Sequence, residues 1–213
     1  MKDAIDYGVL HVEKKYNAMI TSPIIYTSDY LRKTPKTKNV AEAIFAALDL
    51  LNVEHRELKH TNDFWCRDYM PVQTPSGKLI QFTYNPSYLR GNKEWEDSRS
   101  DVKEVCRLNN IEALFSDINL DGGNVLICDD RAIISDRIFS ENPNRDKDEL
   151  VKELTKLLEC EIIIIPTEND DMTGHADGMV RFVNKNTILV NNLEEEYKYW
   201  REGMQKGFIR HFE

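Results

Sequence analysis

Residues 121–135 read DGGNVLICDDRAIIS: an acid and two glycines, then two β-rich runs parted by Asp129-Asp130, a pair that favours a tight turn. The stretch predicts a β-hairpin entered from a polar loop. The same arrangement occurs twice more. Pro75-Ser76-Gly77 parts MPVQT from KLIQFTY, and Lys185-Asn186 parts MVRFV from TILVN. Counting back from each turn meets an aspartate at a fixed distance: 76 − 68 = 8, 129 − 121 = 8 and 185 − 177 = 8, which gives Asp68, Asp121 and Asp177. Successive acids lie 121 − 68 = 53 and 177 − 121 = 56 residues apart, a period that implies blades or stacked modules.

Ahead of each acid lies a helix-like segment and a short apolar strand: residues 39–51 then Val53–Leu58, residues 98–110 then Ile111–Phe115, and residues 146–159 then Glu161–Ile165. The repeated unit is helix, strand, polar loop, hairpin, and the fold class is α/β. In the first helix Val40, Ala43, Ile44, Ala47, Leu48 and Leu51 recur at helical spacing, with Asn39 as the cap and Glu42 completing a capping box. In the third, Leu150, Val151, Leu154, Leu157 and Leu158 share a face, and Lys147, Asp148, Lys152 and Lys156 lie off it. Residues 194–211 read as a fourth helix, acidic in its first turn and basic near its end. The strand, loop and hairpin due after it would fall past Glu213, so the spacing predicts an architecture cut short in its fourth unit.

The 213 residues carry 28 Lys+Arg against 37 Asp+Glu, a net charge of −9, with 41% hydrophobic and 31% charged residues. That is a globular composition, with length enough for a substantial core, and it excludes collagenous and wholly disordered chains. An acidic balance with no Lys/Arg cluster argues against nucleic acid and favours cationic small substrates. The aliphatic run Ile162–Ile165 is far short of the ~20 residues a membrane span needs, and the first twenty residues mix charges throughout. The expectation is a cytoplasmic protein with no membrane partner. Cys66, Cys106, Cys128 and Cys160 form no C-x-x-C pair, which fits neither a disulfide framework nor a zinc site, and nothing calls for a cofactor.

The loops that carry the acids suit a cation. In the first, Phe64-Trp65-Cys66-Arg67-Asp68-Tyr69-Met70-Pro71, a carboxylate near a Trp can hold a planar cation by charge-assisted bonds while an aromatic face lies against it. The plainer alternative is a Trp anchor beside a local Arg67–Asp68 pair. In the second, Gly122 and Gly123 after Asp121 allow positive φ and close approach of a ligand, or simply a structural turn. In the third, Gly174-His175-Ala176-Asp177, His-x-Asp on extended chain would point both side chains one way, so His175 could move protons beside a cation gripped by Asp177. The same pair could also ligate a metal. Three repeated loops emerging at one end of their modules would share a pocket.

These residues together resemble the agmatine deiminase and bacterial peptidylarginine deiminase family of the guanidino-group-modifying (pentein) superfamily. The similar stretches are Trp65-Cys66-Arg67-Asp68-Tyr69-Met70-Pro71, Asp121-Gly122-Gly123-Asn124, and Gly174-His175-Ala176-Asp177 followed by Arg181-Phe182-Val183. The resemblance implies a pentein-type α/β propeller of ββαβ modules around the active site, five in the family and about three here. Residues 1–213 would form one incomplete pentein-like domain, with modules at about 20–90, 91–140 and 141–192 and the start of a fourth at 193–213.

It also implies hydrolysis of a guanidinium, small-molecule or peptidyl, to a ureido group with loss of ammonia. For agmatine that would serve putrescine synthesis. Carried over, Asp68 and Asp177 clamp the guanidinium with Trp65 in the substrate site, His175 is the general acid/base, and Asp121 stands where the family usually has Glu. Met70 replaces a usual Gly. The family's nucleophilic Cys sits in a Gly-rich loop of the last module, a context that none of the four cysteines here has, so the chain alone is expected to be inactive. The alternatives are a non-catalytic guanidinium-binding or interaction protein and, further off, a metal-dependent hydrolase using His175 and Asp177. Open strand edges call for a homo-oligomer or a complementing chain.

Overall fold

The computed structural model describes residues 24–168 and 171–190. In chain order these residues form β1 (Ile25–Ser28), α1 (Tyr30–Lys33), α2 (Lys38–Leu50), β2 (His55–Leu58), α3 (Cys66–Tyr69), β3 (Val72–Gln73), β4 (Leu79–Thr83), α4 (Lys93–Asp97), α5 (Val102–Leu108), β5 (Leu114–Asn119), β6 (Leu126–Cys128), β7 (Arg131–Ser135), α6 (Arg137–Glu141), α7 (Lys147–Leu158), β8 (Glu161–Ile165), β9 (Val180–Asn184) and β10 (Thr187–Val190). The architecture is α/β. The fourth helix expected at 194–211 lies outside the described residues.

Each of the three turn signals closes an antiparallel hairpin: β3 with β4, β6 with β7, and β9 with β10. The strand that follows each crossover helix then pairs in parallel with the hairpin before it. β5 lies beside β4 with Ile80 opposite Leu114, and β8 lies beside β7 with Ala132 opposite Ile162 and Ile134 opposite Ile164. Two three-stranded sheets of one pattern result, β3-β4-β5 and β6-β7-β8. β1 and β2, joined through α2, are a parallel pair, and β9-β10 is a hairpin alone among the described residues. A polar loop thus leaves the C-terminal end of each parallel strand, β2, β5 and β8, and leads into the next sheet. Open α/β sheets place their binding sites at that end.

The core is continuous through the middle sheets. β7 is buried on both faces: Ala132 and Ile134 pack with Ile118, Leu120, Leu150 and Leu154, while Ile133 packs with Ile163, Ile165, Ala176 and Met179. α7 closes one face with Leu150, Leu154 and Leu158 fully buried. It starts at Asp146, whose carboxylate accepts from the amides of Asp148 (3.0 Å) and Glu149 (3.1 Å).

Three local expectations are corrected. α2 buries Ala41 and Phe45 and leaves Val40 and Ile44 exposed, as is Leu51 just past its end. Its sequence is apolar on two sides, and the Arg32 guanidinium over the Phe45 ring, with His55 stacked on that ring, decides which side turns in. Asn39 is no cap, because α2 grows from the turn ahead of it, with Lys38 N bonded to Thr34 O at 3.1 Å. β5 runs Leu114–Asn119 instead of Ile111–Phe115, because Ile118 and Asn119 are the positions that reach the interior. Its helix, α5, starts from Asp101, whose side chain accepts from Glu104 N.

Candidate functional site

The loops after β2, β5 and β8 come together, each folded into one tight helical turn. In the first, Cys66–Tyr69 is a turn of α-helix closed by Met70 N on Cys66 O at 3.0 Å. Buried Tyr69 pins it by donating to the Asp63 carbonyl at 2.8 Å, and the Arg67 guanidinium reaches across to the Val125 carbonyl of the second loop. The second and third loops carry 3-10 turns at Gly122–Asn124 and Ala176–Gly178. The extended chain expected through His175-Ala176-Asp177 gives way at Ala176 to a turn, and it is the packing of turn on turn that brings the side chains together.

The glycines of the second loop explain how close that packing is. A Cβ on Gly122 would run into the Arg67 carbonyl oxygen, and one on Gly123 would run into His175 Nδ1 and lie 2.6 Å from Asp68 Oδ1. Neither has positive φ. Their role is close approach of protein to protein, in place of the left-handed turn that the sequence allowed. Asn124, buried, completes the junction: its side-chain oxygen accepts from Ser135 N at 2.8 Å and Ala176 N at 3.1 Å, so one amide ties the end of β7 to the third turn. Ser135 Oγ adds a bond to the Gly174 carbonyl at 2.6 Å.

At the centre is His175, only 7% exposed. Its Nε2 is 2.9 Å from Asp121 Oδ2, and its Nδ1 is 3.7 Å from Asp68 Oδ1. Burial alone would lower the imidazole pKa. The bond to Asp121 and the charges of Asp68, Asp121 and Asp177 outweigh it, and the net direction is up. Asp68 is pushed up to about 6, first by burial and then by the charges of Asp121 and Asp177, against the opposing pull of His175 and Arg67. Asp177 lies 3.7 Å from the half-exposed Arg181 guanidinium. Tyr88, which sequence reasoning missed, donates its phenol to Asp121 Oδ2 at 2.8 Å and sets its ring edge-on to the imidazole.

A cavity of about 530 Å³ opens over this group, lined by Asp68, His175 and Asp177 below and by aromatic side chains that include Trp65, Tyr88 and Trp95. Trp65 is 60% exposed and tilted against Phe64, so it forms part of the rim. An acidic floor under an aromatic rim can hold a planar cation, and a buried imidazole between two carboxylates can give and take a proton beside it. The cysteines lie elsewhere. Cys66 lines a separate cavity of about 670 Å³, together with Tyr26, Met70 and Leu79. Its thiol pKa is raised by burial, as are those of Cys106 and Cys160, both to about 11. Among the described residues no group of three His, Cys, Asp or Glu is arranged to hold a metal ion.

The sequence model described as Porphyromonas-type peptidyl-arginine deiminase matches residues 11–208. A protein of Mycoplasma capricolum subsp. capricolum, provisionally named an agmatine deiminase, is 24% identical over 159 residues, 68% of this chain and 44% of that one. The chain therefore spans less than half the length of this curated relative. Among solved structures, the agmatine deiminase of C. jejuni is 19% identical with a TM-score of 0.61, over 90% of this chain and 70% of its own. The agmatine deiminase of Enterococcus faecalis is 16% identical with a TM-score of 0.61, over 87% and 63%. At these identities the structures show a shared fold.

Proposed function

The chain belongs to the Porphyromonas-type peptidyl-arginine deiminase family, and from that membership we propose that it carries the guanidinium clamp and acid–base group of a guanidine deiminase. The observation that supports this best is the buried His175 between Asp121 and Asp68, under a cavity that Asp177 also lines. In this reading Asp68 and Asp177 pair with the substrate guanidinium, which is planar and rich in N–H donors, and Trp65 flanks it. A thiolate adds to the guanidinium carbon. The C–N bond then breaks as His175 protonates the departing nitrogen, ammonia leaves, and a covalent thiouronium remains. His175 next takes a proton from water, whose oxygen adds to the same carbon, and the C–S bond breaks to release the ureido product.

None of the four cysteines lines the cavity, so the thiolate has to come from a segment or chain other than these residues, and this chain alone turns over no guanidinium. The same placement supports a second reading, a non-catalytic guanidinium-binding or interaction protein that keeps the clamp. In either case the fold is one incomplete pentein-type propeller domain with about three of five modules in residues 1–213, acting in the cytoplasm on agmatine or another small or peptidyl guanidinium. With agmatine the product would feed putrescine synthesis.

Calorimetry with agmatine and with an N-acylated arginine amide, beside an ammonia assay on the same samples, tests the proposal. Asp68→Asn and Asp177→Asn should each weaken binding by about 1.5–3 kcal/mol, the range for charge-assisted bonds, with no ammonia above background. Equal binding by the native chain and both variants would remove the clamp. Ammonia release abolished by Cys66→Ala would make Cys66 the nucleophile instead.

A further inference from the structure

A carboxylate is a good partner for a catalytic imidazole only if it is itself held still, and among the described residues the Asp121 side chain has one hydrogen-bonding anchor besides His175. That anchor is the Tyr88 phenol, 2.8 Å from the same Oδ2 that meets His175 Nε2. Tyr88 sits in a 3-10 turn, Ser87–Leu89, which has no hydrophobic period and no sheet neighbour of its own. The turn is fixed from behind by α6. The Glu141 carboxylate, nearly buried, accepts from Ser87 N at 3.0 Å and from Ser87 Oγ at 2.5 Å. Arg137 donates to Glu141 at 3.2 Å and to Ser87 Oγ at 3.1 Å, and its guanidinium lies 5.9 Å from the centre of the Tyr88 ring.

The other side of the contact rests on the same helix end. Asn119, two residues before Asp121, donates its side-chain amide to Glu141 at 3.0 Å, and its backbone N–H bonds to Asn142 Oδ1 at 2.9 Å. Tyr88 and Asp121 are thus two arms of one frame, set at hydrogen-bond distance before any ligand arrives.

We infer that Tyr88 is the positioning residue of the His175–Asp121 pair, fixing Asp121 Oδ2 on Nε2 so that the neutral imidazole keeps its proton there and turns a bare Nδ1 toward Asp68. A carboxylate oxygen can only accept, so an imidazole bonded to it through Nε2 carries its hydrogen on Nε2. Nδ1 is then the atom that exchanges protons with a bound molecule. Without the phenol, Asp121 can rotate off the ring, and Asp68, on the other nitrogen, competes for the opposite tautomer. The groups facing His175 are Asp68 from α3, Asp121 and Tyr88 from the two arms, and Asp177 from the third turn. The catalytic consequence rests on the deiminase reading; the tautomer does not.

The test is nitrogen-15 NMR of the full chain selectively labelled at histidine, without ligand, at a pH where His175 is neutral. The native protein should show one Nε2–H tautomer whose proton exchanges slowly with water. Tyr88→Phe, which keeps the ring and removes one oxygen, should show both tautomers and at least tenfold faster exchange. Glu141→Gln, which loosens the turn and leaves the phenol in place, should move the signals the same way by less. An unchanged tautomer and exchange rate in Tyr88→Phe would overturn the inference, as would a native protein with the proton on Nδ1. Thermal unfolding of both variants separates a local change from loss of the fold, and Tyr88→His, unable to place a phenol on Oδ2, serves as a second variant should Phe fail to fold. Failure of the native chain to bind agmatine would instead strike the deiminase reading and leave the tautomer result standing.

Discussion

Asp68 titrates at about 6 because burial and the neighbouring charges of Asp121 and Asp177 outweigh the help it receives from His175 and Arg67. His175 shifts upward as well, so acidic solution leaves the site with a neutral Asp68 beside a charged imidazole. Both features oppose a cation. As pH rises, Asp68 first gains its charge and His175 then loses its own, so guanidinium affinity should climb in two steps, the lower one near pH 6. Below that step the expected slope is about tenfold in affinity per pH unit, since one proton is released for each cation bound. Calorimetry of agmatine binding between about pH 5 and 8 reads this directly. Asp68→Asn should abolish the lower step and keep the upper, and a flat profile in the native protein would contradict the placement of the cation at Asp68. The repeat spacing alone put Asp68, Asp121 and Asp177 in equivalent loops, and the structure gathers them with His175 at one site. Tyr88 was illegible because its partner is 33 residues away and its own segment, Pro86-Ser87-Tyr88-Leu89, carries no period to mark a buried side.

Between elements, the junction that matters most is Asn124. Two buried amides, Ser135 N and Ala176 N, have this one side-chain oxygen as their acceptor. Asn124→Ala would leave both without it, at a cost of about 1–3 kcal/mol for each donor left unsatisfied. Asn124→Asp keeps an acceptor in place and should lose less. Urea titrations of both variants check this, and an Ala variant as stable as the native protein would show that water or a shifted loop satisfies the two donors. Hairpins and α7 were legible in the sequence because turn residues and leucine spacing act locally. The buried side of α2 was not, since Val40/Ile44 and Ala41/Phe45 are both apolar rows, and only the ring of His55 and the guanidinium of Arg32 on Phe45 break the tie. Sheet membership was also hidden: β5 and β8 follow their helices in sequence yet join the hairpins that precede them.

Taken as a whole, the described residues repeat one sheet pattern with unequal completeness. β3-β4-β5 and β6-β7-β8 each have a hairpin and a parallel third strand, whereas among the described residues β1-β2 has no antiparallel strand flanking β1, and β9-β10 no parallel strand flanking β10. Exposed apolar side chains accompany both open edges, Ile25 and Tyr26 on β1 and Leu189 and Val190 on β10. An apolar edge is a template for further pairing, and neither charge nor proline lies within Leu189-Val190 or Ile25-Tyr26; the irregularity of β10 falls earlier, between Thr187 and Ile188. The same pattern bears on the site, because Asp177 stands on the turn that feeds β9, and a hairpin that the described residues support on one side only fixes that turn less firmly than β7 fixes its neighbour. We therefore expect the chain to form a homo-oligomer, to bind a complementing chain, or to aggregate, with amides of Thr187–Val190 exchanging far faster than those of Arg131–Ser135 whenever it is held monomeric by dilution. Light scattering together with hydrogen exchange decides it. A monodisperse monomer in which β10 is as protected as β7 would mean that residues outside those described already complete both sheets, and guanidinium binding should then be as tight in the monomer as at any higher concentration.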